Sequence, residues 1–161
     1  MITIILKTLA IGIGATFAID IWVSVLKLFK IKSLDLKYVG RWIGNFPKEK
    51  FLHNKIQDTT PVPNELIIGW IAHYLIGITF AFILVAFYGS NWLEEPTIIP
   101  AIVIGLVTSV APFFIMQPAF GFGIASSKLP NSNLLRLKSL GTHLVYGIGL
   151  YLWAILLNTL F

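Results

Sequence analysis

Asp20, His73, Gln117 and His143 stand inside otherwise apolar stretches, where a polar or ionisable side chain is rare. An ionisable group at membrane depth is costly, faces protein or water rather than lipid, and marks a site by default. One carboxylate and two imidazoles could share a proton, hold a polar solute, or supply a general base. Arg41, His53 and Glu65 could cover such a pocket from the first connection, while Lys128 and Arg136 flank a turn, PAFGFGIASS, whose N–H groups could cradle an anion. Each residue also has a plainer use. Asp20 paired with a Thr, Trp or His would only lock helices together, and the histidines could hydrogen-bond a neighbouring carbonyl. Glu65 follows Asn64, a helix-cap type, and its charge suits the first turn of a helix.

The same residues bear on metal and cofactor chemistry. Asp20, His73 and His143 would make a two-histidine, one-carboxylate set, yet no HxxxH or HExxH spacing supports it, so no metal is assigned. Two histidines on facing helices could ligate a haem. Their small neighbours serve close helix packing equally well, and a nearby carboxylate does not suit a haem, so no cofactor is assigned. With no cysteine, thiolate ligands and thiol nucleophiles are excluded.

The elements that must position these groups are membrane spans. The chain has 161 residues, 57 % hydrophobic and only 12 % charged, about half the charge of a water-soluble domain. Apolar runs predict an all-α polytopic membrane protein, a single domain of four transmembrane helices over about 2–29, 66–88, 98–116 and 139–161. The first run has no A-x-A cleavage pattern and is expected to be a retained span. Every fourth residue traces a mostly polar or small stripe: Gly12, Thr16 and Asp20; Glu65, Gly69, His73, Gly77 and Ala81; Ala101, Gly105, Ser109, Phe113 and Gln117; Ser139, His143, Gly147 and Tyr151. Pro112 predicts a kink, and irregular backbone is expected from Gln117 to Leu129. The segment YVGRWIGNF in the long first connection has the aromatic and basic residues of a short interfacial helix. Five tryptophans fall mostly near span ends, where an interfacial belt would explain them.

The net charge of +5 does not point to nucleic acid, because the Lys and Arg lie between the apolar runs. They crowd the first and third connections, whereas the middle link carries Glu94 and Glu95. The basic side is therefore expected in the cytoplasm and both termini outside, with Lys7 near enough to its helix end to snorkel. In that topology Asp20, His73, Gln117 and His143 come to one depth beneath the cytoplasmic surface. His73 and His143 are each followed by Gly-Ile at the fourth and fifth positions, which fits a parallel two-plus-two repeat. Small-xxx-small spacing arising by chance fits as well.

GRWIGNF with FLHNKI, PVPNELIIGWIAHYLIGITFA, PFFIMQPAFGFGIASSKLP and the closing R-x-K-S-L-G-T-H-x-x-Y-G-x-G-L-Y resemble bacterial membrane proteins grouped as domain of unknown function 2938. The likeness covers essentially the whole chain, with Asn45 standing where histidine is more often expected after GRW-x-G. It implies a bacterial inner-membrane protein and supplies no catalytic residues. The expected function is binding or transport of a small polar solute or lipid headgroup through the Asp/His/Gln pocket. The alternatives are a membrane-embedded enzyme acting on a lipid, with histidine as base and Lys128 or Arg136 on a phosphate, a structural or assembly protein, and, last, a bis-histidine haem protein. Besides the bilayer and such a ligand, no partner or oligomeric state is legible.

Overall fold

Apolar residues with few interior charges make four long helices here, as the hydropathy pattern demands. The structure, a computed structural model, describes residues 1–160; the expected end of the fourth span at Phe161 lies outside them. The helices are α1 (Ile2–Leu28), α2 (Leu36–Gly44), α3 (Glu65–Tyr88), α4 (Asn91–Glu94), α5 (Ile98–Val107), α6 (Gln117–Ala119) and α7 (Ser132–Leu160), and no strand occurs among the described residues. Four segments are long and apolar enough to cross a membrane: α1, α3, the run from α5 through α6, and α7, of 27, 24, 22 and 29 residues. Only 17 % to 33 % of their most apolar stretches is buried in the protein, so most of that apolar surface needs lipid to cover it.

Two spans differ from their expected limits for local reasons. The third continues past residue 116 to Ala119, through a π-helical turn at Pro112–Met116. Pro112 has no N–H to give the preceding turn, and the Gln117 N–H reaches back five residues to the Pro112 carbonyl instead of four. The fourth starts at Ser132 rather than 139, because Pro130 and a left-handed Asn131 (φ 57°) end the preceding turn. At 1.5 Å per residue α7 is about 43 Å long, which exceeds a hydrocarbon core of about 30 Å. Its first turns, bearing Asn133, Arg136 and Lys138, form a polar extension of the span.

The chain divides into two compact units. The first holds residues 1–32, 74–108 and the chain from 140 onward. Its core is built on Ile11, Ala15, Ala81, Leu84, Leu93, Ala101, Tyr146 and Leu150. The small stripes are its helix contacts. A Cβ on Gly12 would lie 2.7 Å from the Ile78 Cα, and one on Gly105 would lie 2.7 Å from the Gly147 Cα. Without a solvent-driven force between helices in lipid, such close backbone approach supplies the attraction. Tyr146 donates its hydroxyl to the Gly77 carbonyl at 2.6 Å, satisfying a buried phenol. Lys7 is neutralised rather than merely snorkelling: its Nζ lies 3.3 Å from Glu94 and 3.1 Å from the Asn158 Oδ1. Trp92 is buried, with its indole N–H on the Thr97 carbonyl, so packing rather than an interfacial belt explains it.

The second unit holds residues 33–73 and 109–139. The expected short helix is α2, capped by Asp35, whose side chain accepts from the Lys37 N–H at 3.0 Å. Gly40 of α2 meets Gly69 and the Glu65 carbonyl of α3 so closely that neither glycine has room for a Cβ. A satellite core of Val39, Ile56, Ala119, Phe120 and Phe122, joined by Trp42 and Met116, fixes the long connection against the end of the third span. Backbone bonds do the same: His53 N–H donates to the Ala119 carbonyl and Ile56 N–H to that of Phe120.

Candidate functional site

Asp20 sits in α1 eight residues before its end, about 12 Å along the axis. Its Oδ2 accepts the Tyr74 hydroxyl at 2.7 Å. The carboxylate borders a groove of about 320 Å³ whose lining, Phe17, Asp20, Ile21, Ser24, Val25 and Leu28, comes wholly from α1. The Ser24 hydroxyl donates to the Asp20 carbonyl, so the serine is satisfied within its own helix.

His143 belongs to the same unit and has its own partner. Its Nδ1 lies 2.8 Å from the Thr108 Oγ1, and that hydroxyl gives its one proton to the Gly105 carbonyl at 2.6 Å. Thr108 can then only accept from the ring, which places the proton on Nδ1 and the lone pair of the neutral ring on Nε2. Within the first unit Asp20 is thus held by Tyr74 and His143 by Thr108. Neither partner stood out in the sequence. Tyr74 adjoins His73 and was open to notice; Thr108 falls off the four-residue stripe that drew attention to Ser109.

In the second unit the structure joins two of the expected residues directly. Arg41, only 5 % exposed, forms a two-pronged ion pair with Glu65, Nε to Oε2 at 2.8 Å and an Nη to Oε1 at 2.9 Å. Its other Nη donates to the carbonyls of Ile56, Gln57 and Thr59, at 3.2, 3.1 and 2.8 Å. The fixed fork of donors suits this use, since lysine could not reach two carboxylate oxygens and three carbonyls together. The carboxylate keeps the guanidinium above its already high ordinary pKa, mainly through their hydrogen bond. Glu65 therefore does more than suit a helix dipole, and Arg41 is a staple between α2, α3 and the loop before it. Asn45 adds to it by donating its Nδ2 to the Arg41 carbonyl at 2.7 Å.

Gln117 and Arg136 act on one turn. Ala125 and Ser126 both take left-handed backbone, φ 47° and 59°, which costs roughly 1–2 kcal/mol per residue. Ser126 Oγ donates to Gln117 Oε1 at 3.1 Å, and Arg136 Nε donates to the Ala125 carbonyl at 2.8 Å. Arg136 also reaches Asn133 Oδ1 at 2.9 Å. In the glycine-rich turn the Gly121 N–H goes to the Pro118 carbonyl and the Phe122 N–H to that of Gln117. Lys128 is exposed beside this turn. His73, on α3, makes an edge-on ring contact with Trp70, centroids 6.0 Å apart.

His53 is 6 % exposed and hydrogen-bonds Thr59 Oγ1 through Nδ1 at 2.9 Å. Among the described residues its Nε2 and the Trp22 Nε1 are the buried side-chain polar atoms without a partner. Burial, followed by the positive charge of Lys50, holds the imidazole below its ordinary pKa. Among the described residues no group of three or more His, Asp or Glu side chains is placed to hold a metal ion.

Helices through most of the described residues, four of them span-length with their apolar surface largely uncovered by protein, and a part-buried ion pair pinning a long connection, define a polytopic membrane protein. The chain belongs to the family described as Protein of unknown function (DUF2938), which it matches over residues 9–157. No curated protein and no solved structure matches it.

Proposed function

We propose that this protein binds, and moves across or along the membrane, a small polar solute or a lipid headgroup, with Asp20 as its ionisable centre. What supports the reading is a carboxylate about 12 Å inside an apolar helix that borders an open groove and is steadied by a phenol. A carboxylate held at that depth on an apolar helix is better explained by a ligand than by packing. The excess of Lys and Arg between α1 and α3 and after α6, with Glu94 and Glu95 in the other link, favours the cytoplasmic face of a bacterial inner membrane for that end of α1 and a periplasmic side for both termini. His143, in the same unit as Asp20, is the further polar member of this reading, and His73 and Gln117 serve as comparisons from the second unit.

The test is mass spectrometry of what co-purifies, compared between the wild type and Asp20→Asn, His73→Ala, Gln117→Ala and His143→Ala. Asp20→Asn keeps the Tyr74 hydrogen bond within reach and removes only the charge, so the expected result is a roughly tenfold or greater loss of the bound species, equivalent to about 1.4 kcal/mol. Equal recovery from wild type and Asp20→Asn would sink the reading. The lipid-enzyme alternative has less support, because Arg136, its phosphate-holding candidate beside Lys128, already gives its Nε and one Nη to Ala125 and Asn133.

A further inference from the structure

The first connection contains a cavity that the Asp20 reading does not use. It measures about 370 Å³ and is lined by Lys50, Leu52, His53, Asn54, Lys55, Asp58, Thr59 and Thr60. That is the lower end of the size range of small-ligand sites, enough for a phosphate with a short polar substituent. The cavity's surface is about half polar and half apolar, and the polar part brings two ammonium groups, the Asn54 amide and the Thr60 hydroxyl as donors. Asp58 is occupied by Lys55 at 3.4 Å, and among the described residues no carboxylate pairs with Lys50. The site therefore carries a surplus positive charge.

We infer that this cavity binds a phosphate-bearing anion, and that its natural source is the headgroup of an anionic phospholipid. Lys50 supplies the uncompensated charge and Lys55 a second ammonium shared with Asp58, while Asn54 and Thr60 supply neutral donors and the Thr59 hydroxyl is turned to His53 and the Lys55 carbonyl. The buried His53 forms part of the wall, held by Thr59 on one side and by the Ala119 carbonyl through its backbone. Two neighbours argue for a lipid rather than a soluble anion. Phe51 and Leu52 are 52 % and 74 % exposed beside the cavity, flanked by lysines at 48, 50 and 55 against the one carboxylate of Glu49, an apolar pair in a net-basic stretch as at a headgroup boundary. The Phe51 backbone is fixed by the Trp42 indole N–H at 2.8 Å, so the pair is presented rather than loose. The two forces that depress the imidazole, burial and Lys50, would both be offset by an anion in the cavity, so binding and proton uptake by His53 would favour each other. The segment packed on His53, Ala119 to Gly121, adds no titratable group.

The experiment titrates the purified full-length protein in detergent with short-chain phosphatidylglycerol, short-chain phosphatidylcholine and inorganic phosphate, following thermal stability. Two double variants accompany it: Lys50→Gln with Lys55→Gln, and Lys27→Gln with Lys32→Gln, which removes the same charge elsewhere. The expected result is saturable stabilisation by phosphatidylglycerol but not phosphatidylcholine, weakened at least about tenfold in the first variant and retained in the second. Saturation by inorganic phosphate with the same dependence on Lys50 and Lys55 would uphold the site and make its source soluble. No saturable response to any probe, or equal weakening in both variants, would overturn it. Because Asp20 takes no part, this result and the co-purification result stand or fall separately.

Discussion

At the scale of single residues, this protein gives its polar groups unequal tasks. Thr108 orients one imidazole, Tyr74 steadies the one carboxylate of α1, and His53 is buried with its Nε2 unsatisfied. For His53 the sign of the pH effect follows directly. Its folded pKa lies below the ordinary 6.5, so the unfolded chain takes up a proton first as pH falls. Stability is thus full above that value and declines as pH drops from 6.5 toward the lowered folded pKa. Thermal unfolding of the ligand-free protein between about pH 5 and 8 should show a shallower decline for His53→Gln than for the wild type. Identical profiles would show that the imidazole is as accessible to protons folded as unfolded.

Among the elements, the segment between Gln117 and Gly123 is decisive because it holds the long connection in place. Gly121 has φ 83° and lies so near the His53 and Asn54 carbonyls that a side chain has no room. Gly121→Ala should therefore cost at least about 1–2 kcal/mol from backbone conformation alone, with steric displacement added. Arg41→Ala should cost more, about 3–5 kcal/mol, since it strands a partly buried carboxylate and frees three carbonyls. Unfolding midpoints in one detergent would rank them, and an Arg41→Ala protein as stable as wild type would remove the staple from this account. These elements also show where the sequence could and could not be read. The four spans, the disturbance at Pro112 and the glycine stripes were legible because hydropathy and spacing are local properties. The union of Arg41 with Glu65, 24 residues apart, was not, since charges in a long connection have many partners open to them. The bonds from His53 and Ile56 to Ala119 and Phe120 are made by backbone, which leaves no side-chain pattern to find. The early start of α7 was hidden because its first turns are helical without being apolar.

For the whole molecule, the proposed orientation rests on the distribution of charge. Lys7, the one basic residue on the other side in the sequence reading, is matched by Glu94, which leaves the bias of the first and third connections uncontested. The absence of native cysteine makes the topology open to direct measurement. Single cysteines at Lys48 and Lys128 should be shielded from a membrane-impermeant thiol reagent in intact cells, and one at Glu95 should react. Labelling at Lys48 before the cells are opened would invert the topology and move the Asp20 groove to the outer leaflet's side.

The π-helical turn in the third span has a consequence for how this chain tolerates length changes. It holds one residue more than an α-helical turn of the same rise, so it acts as a spare link ahead of Gln117. Losing one residue between Phe113 and Met116 would let the backbone close into ordinary α-helix while leaving everything downstream in register. The same deletion three turns earlier, in α5, would swing each following side chain about 100° around the axis.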